Sequence, residues 1–224
     1  MIATDKDSFI WWDWVGRHTA QIQSATYEHL RLTLLAVAIG FAVSLVLSAV
    51  CLRFRWTFTP IAGFAGLLYT IPSLALFAFL LPITGFNTLT AEIGLVSYTL
   101  AIFVRNIVAG VESVSPAVID AADGMGLTRL RRLATVDVPL AAPAIVAALR
   151  IATVTTVGLV TVTGLIGQGG YGSFIESGLS RNFSTEIVVG GGLSIVMAVA
   201  LDAVLVGVER IATPWTRARP RRGT

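Results

Sequence analysis

Long uncharged apolar runs alternate with short polar stretches along this chain, and the runs have the length that a bilayer demands. No charge interrupts Leu32 to Leu52, and about 20 apolar residues cross the hydrocarbon as a helix. Further runs extend from about Phe58 to Leu81, Thr90 to Val111, Ala141 to Ile166 and Ile187 to Val208. The pattern predicts an all-α polytopic membrane protein: one domain over residues 1–224 with about five transmembrane helices. Pro72 falls in the middle of the second run, where it removes a donor and frees the carbonyl four residues earlier. That is either a packing kink or a break lining a water-filled pathway. Ahead of the first run, Phe9-Ile10-Trp11-Trp12-Asp13-Trp14 is too short to span. It is expected to lie at the headgroup level, within an interfacial segment covering residues 1–29. The first ten residues carry Asp5 and Asp7 and no apolar core, so they do not form a cleavable signal.

Among the polar stretches, Ser115 to Pro139 is the most informative, and it predicts helix–turn–helix. Ser115 can cap free amides and Pro116 suits a first helical position. Gly124 and Gly126 can end that helix, since glycine accepts left-handed angles. Thr128 can cap a second helix whose Leu130, Leu133 and Val136 form a stripe opposite the arginines, and Pro139 is expected to stop it and start the fourth span. Elsewhere, Pro82 to Asn87 is a short turn, Gly167 to Gly172 a flexible glycine-rich turn, and Phe174 to Thr185 a semi-polar connection.

Composition agrees with lipid as the solvent. The 224 residues are 55% hydrophobic and 13% charged, against about 25% charged in a soluble domain. Mean hydropathy is +0.80. Positive residues prefer the cytoplasm. Arg53 and Arg55, then Arg129, Arg131 and Arg132, then a basic tail over 209–224 lie on one side; Lys6, Arg17 and Arg181 lie on the other, with Arg31 at its border. The N-terminus is therefore expected outside, with the Ser115–Pro139 loop and the tail in the cytoplasm. The same arginines account for the net charge of +3 without a nucleic-acid partner. The bias to arginine, alanine and valine fits a GC-rich bacterial gene. Cys51 is the only cysteine, which excludes an internal disulfide.

Enzyme chemistry finds little support. Lys6 is the only lysine, so there is no phosphate loop and ATP hydrolysis would need a separate subunit. Gly167-Gln168-Gly169-Gly170-Tyr171-Gly172 fits G-x-G-x-x-G literally, but it follows a membrane-length run rather than a strand. His18 and His29 are not spaced as a metal pair, and neither G-x-S-x-G nor H-E-x-x-H occurs. Within the spans, Arg105 and Asn106 are candidates for a pathway or gate. So are Thr156 and Thr163, which share a face of the fourth span with Thr153 and Gly167; such threonines either line a polar path or bond their own preceding turn. Asp202, a carboxylate inside the last run, is expected to pair with Arg105 or to touch solute.

The spacing of the central loop carries a resemblance. Asp120-Ala121-Ala122, three residues, Gly126, nine residues and Val136-Asp137-Val138-Pro139 resemble the loop, usually written EAA, three residues, Gly, nine residues, I-x-L-P, by which membrane subunits of ATP-driven importers dock on their ATPase. His29 to Leu34, Tyr69 to Leu76, Val104-Arg105-Asn106 and Gly167 to Gly172 extend the likeness. Together they resemble permease subunits of importers for glycine betaine, choline and similar osmoprotectants, from about residue 26 onward. Asp120 replaces the usual Glu, and Val136 and Val138 replace Ile and Leu. The resemblance implies a MetI-like permease fold in a bacterial inner membrane, with Asp120, Ala121, Ala122, Gly126, Val136 and Pro139 coupling to the ATPase. It also implies a second permease chain, an extracytoplasmic binding protein, and ATP with Mg held by the partner ATPase rather than by this chain. A methionine-type amino-acid cargo, or a scaffold or sensor without transport, are the other readings.

Overall fold

The first apolar run is only the distal part of a longer helix. In the computed structural model, which describes residues 9–217, α2 extends over Thr19–Arg53. It starts well before Leu32 because Gln21 to Arg31 are mostly good helix formers. Its buried residues include Ala25, His29, Leu32, Ala36, Gly40, Ser44, Ser48 and Cys51, a stripe at spacings of three and four. Ahead of it, α1 (Trp12–Arg17) is not afloat in an interface. Trp14 is buried against Phe174 and Phe183 at ring distances of 6.0 and 5.7 Å, and the Trp11 amide donates to Thr185 Oγ1. The segment expected at the headgroups is thus docked on the protein, while Trp12 stays exposed. Lys6 and the tail residues Arg219, Arg221 and Arg222 lie outside the described residues.

The second run is two helices, α3 (Phe58–Thr70) and α4 (Ser73–Thr84), set at 98° to each other. Proline forces its predecessor out of the helical region, and here both Ile71 (ψ 128°) and Pro72 (ψ 132°) are extended. The expected single span is therefore a broken one. Next come α5 (Thr88–Glu112), α6 (Pro116–Gly124) and α7 (Arg129–Arg132). A π-turn over Leu133–Asp137 leads straight into α8 (Val138–Thr163), so Pro139 does not stop a helix. The wider turn opens the ladder where proline's ring would otherwise meet the carbonyl four residues back. A 3₁₀ turn, Gly164–Ile166, precedes α9 (Tyr171–Ser180) and α10 (Ser184–Ala212).

Among the described residues four helices are long and apolar enough to cross a membrane, or five spans if the broken pair counts as one. α2, α3, α4 and α8 pack around α5, and α10 packs on α8 and α9. One cluster joins Leu32, Ala36, Phe77, Leu95 and Val160 from α2, α4, α5 and α8; another joins Val37, Phe103, Ile107, Ala148 and Ala152. Small residues set the spacing. A Cβ on Gly40 would sit 1.8 Å from Thr99 Oγ1, and one on Gly110 would sit 2.9 Å from Ala144, so backbones approach as they do between membrane helices. Outward, α10 exposes Ile195, Val196, Val199, Val204 and Ile211, a face suited to lipid.

Candidate functional site

The loop from Ser115 to Pro139 is built around one left-handed residue. Gly126 has φ +76° and follows α6 in a Schellman arrangement. Its amide donates to the Asp123 carbonyl at 2.9 Å, and the Leu127 amide donates to the Ala122 carbonyl at 3.3 Å. This satisfies carbonyls that the helix end leaves free. Ser115 makes no side-chain cap, whereas Thr128 Oγ1 accepts from the Arg131 amide. Asp120 and Ala121 face outward and Ala122 is buried. Val136 and Pro139 are half-buried.

The expected stripe of Leu130, Leu133 and Val136 does not face inward as a whole. Leu130 is 77% exposed and Met125 73% exposed, and with Val118 they give the loop an uncovered apolar surface. The arginines do the bracing. Arg132 Nη1 reaches both Asp123 oxygens at 2.9 and 2.7 Å, and its Nε lies 3.4 Å from Asp137 Oδ2. It therefore clamps the end of α6 to the π-turn. Arg129 Nη2 donates to the Leu52 carbonyl at 2.9 Å, where α2 has run out of its own donors. In the sequence these arginines report topology; the carboxylates flanking Arg132, Asp137 at i+5 and Asp123 at i−9, are the clue to the bracing.

No hydrogen bond or ion pair joins the residues proposed for a pathway to one another among the described residues. Pro72 lies at the break, where the Tyr98 hydroxyl donates to the freed Ile71 carbonyl. Arg105 is exposed on α5; its Nη2 is 3.4 Å from the Ala62 carbonyl, and among the described residues it has no carboxylate partner. Asn106 bonds the Ile102 carbonyl of its own helix. Thr156 and Thr163 lie in the interior, Thr163 donating to the Val160 carbonyl of its own turn and to the Gln168 carbonyl. Asp202 does not pair with Arg105. It binds Arg150 through two bonds of 2.8 and 3.1 Å, and Glu209 adds a third at 3.1 Å. Arg150 on α8 went unnoticed in the sequence, although a lone arginine in one span and a lone aspartate in another each call for a partner.

The far end of the bundle holds a second arrangement the sequence did not disclose. Glu28 accepts the Gly170 amide at 3.1 Å, and His29 Nδ1 accepts the Tyr171 amide at 3.2 Å. His29 Nε2 then carries the proton and donates to the Val157 carbonyl at 3.1 Å. The turn expected to be flexible is pinned at both residues. Glu92 nearby in α5 is buried with neither oxygen bonded. Among the described residues no three His, Cys, Asp or Glu come together as a metal site.

A family model described as the binding-protein-dependent transport system inner membrane component matches residues 36–217. The choline transport system permease protein OpuBB of Bacillus subtilis is 34% identical over 190 residues, 84% of this chain and 87% of that protein. The osmoprotectant import permease protein OsmW of Salmonella typhimurium is 32% identical over 198 residues, 86% and 92% of the two chains. Among solved structures, the MetNI methionine ABC transporter in an inward-facing conformation superposes with a TM-score of 0.77, covering 86% of this chain and 96% of that one at 19% identity. That last likeness supports the expected MetI-like fold.

Proposed function

Because the chain belongs to the binding-protein-dependent transport system inner membrane components, we propose that it is the membrane-spanning subunit of an ATP-driven importer for a small osmoprotectant: glycine betaine, choline or a related quaternary amine. The observation that carries the coupling role is the braced loop. It offers Met125, Leu130 and Val118 outward, and it is joined through Arg129 to α2 and through the π-turn to α8. An ATPase that grips such a surface moves two spans at once. Two permease chains would sit on two ATPase subunits, with ATP and Mg on the latter and a binding protein delivering solute at the far end. The arginine-rich end would face the cytoplasm and the N-terminus the outside. Asp120, Ala121, Ala122, Gly126, Val136 and Pro139 belong to the coupling surface and its frame. Alternating access follows from rocking the spans, each state favoured by different partner contacts.

The test is uptake of radiolabelled glycine betaine and choline at high osmolarity by cells carrying this chain with its neighbouring subunits, with Gly126→Val as the uncoupled control. Uptake that the substitution removes, while the complex still inserts, supports both cargo and coupling. Uptake of neither solute moves the cargo toward an amino acid such as methionine. A loop that binds no ATPase, in cells that accumulate nothing, returns the chain to a scaffold or sensor.

A further inference from the structure

Between α3 and α5 lies an open groove of about 260 Å³, lined by Gly66, Tyr69, Thr70, Ala101, Ile102 and Arg105. The docking loop makes no use of it. Arg105 sits seven residues before the end of α5 at Glu112, roughly 10 Å along the helix, and so within the depth of a span. An ionised side chain at that depth faces protein or water, not lipid. Its guanidinium lies across α3, and the missing side chain of Gly66 gives it room, since a Cβ there would stand 2.7 Å from Nη2. Among the described residues only the Ala62 carbonyl is near enough to accept from it. A guanidinium has five N–H donors in a fixed fork, so most of this one's capacity for an anion is uncommitted.

The opposite requirement is met by another residue lining the same groove. Tyr69 is 45% exposed and is held edge-to-face against Tyr98, centroids 5.8 Å apart. Tyr98 is fixed in turn by its hydroxyl on Ile71 at the break. A rigid exposed ring offers its face to a quaternary ammonium, while Arg105 offers its fork to a carboxylate. Building on the importer reading, we infer that Arg105 and Tyr69 form a solute subsite in the translocation path, selecting quaternary amines that also carry a carboxylate over those that end in an alcohol. Broken helices line solute sites in membranes for the same reason this groove exists: unwound backbone is tolerated only where it meets protein or a cavity.

The experiment uses the assembled importer in proteoliposomes, with its binding protein saturated by glycine betaine or by choline. Arg105→Gln is expected to lower betaine uptake about tenfold, the scale of one lost charge-assisted contact, and choline uptake less than about twofold. Arg105→Lys retains the charge without the fork and falls between, and serves alone if the glutamine variant does not assemble. Tyr69→Ala lowers uptake of both solutes. Equal loss of betaine and choline in the Arg105 variants overturns the inference, as does a wild-type importer that moves choline alone. A wild type that moves neither removes the cargo reading and this subsite with it.

Discussion

Gly126 allows a clean separation of backbone from contact. Its φ of +76° is a left-handed value, and a Cβ built on it meets nothing within 4 Å. Space therefore plays no part in the cost of substitution within this chain. What remains is conformational: a residue with a Cβ in the left-handed region costs about 1–2 kcal/mol, roughly a 5–30-fold shift between the closed turn and its open forms. Asparagine tolerates that region better than alanine, and a β-branched residue tolerates it least. The series Gly126→Asn, →Ala and →Val should lose solute-stimulated ATPase activity in that order, Asn least, in purified complexes normalised for assembly. An ATPase surface pressed against Gly126 would rank them by bulk instead, with Ala the mildest. Asn more harmful than Ala refutes the argument from φ.

Other expectations follow from the packing. A double-mutant cycle on complex stability should couple Asp202 with Arg150 and show none between Asp202 and Arg105. Gly172→Ala should abolish accumulation of assembled protein in a membrane-fraction immunoblot, because its Cβ would meet the Thr161 carbonyl oxygen at 2.2 Å. Gly158→Ala in α8, with nothing within 4 Å, should be neutral or raise the melting temperature, alanine being favoured over glycine by about 1 kcal/mol in a helix. Trp14→Ala should cost about 3–5 kcal/mol if α1 is docked through its ring. A melting curve unchanged by that substitution would place α1 in the lipid interface after all.

The spans and the loop were legible because both rest on local rules. An uncharged run reports the thickness of hydrocarbon, while Gly126 reports a turn by lacking a Cβ and Thr128 reports one by its capping hydroxyl. The same locality explains the misses. Hydrocarbon thickness says nothing about helix length, so α2 begins at Thr19 rather than Leu32. Pro72 announced a disturbance, but the 98° turn depends on α4 folding across α5, with Phe77 seated on Gly94. Pro139 reads as a stop in the sequence because a π-turn has no residue signature. The Asp202 partner depended on which faces of α8 and α10 meet, and Arg150 and Asp202 stand 52 residues apart. The role of Glu28 as a clasp on Gly170 required two elements 142 residues apart.

From Arg129 to Ile166 the chain is nearly unbroken helix, 38 residues or about 57 Å at 1.5 Å per residue. It is a lever arm. With its lower end joined to the Ser115–Pro139 loop, a tilt of only about 5° displaces its upper end by about 5 Å, one helical pitch. That upper end carries Thr163, whose hydroxyl holds Gln168, and leads into the turn clasped by Glu28 and His29. A small angular stroke at one end of the arm thus arrives at the other as a full step against a clasp made of two hydrogen bonds, which must either travel with the arm or let go.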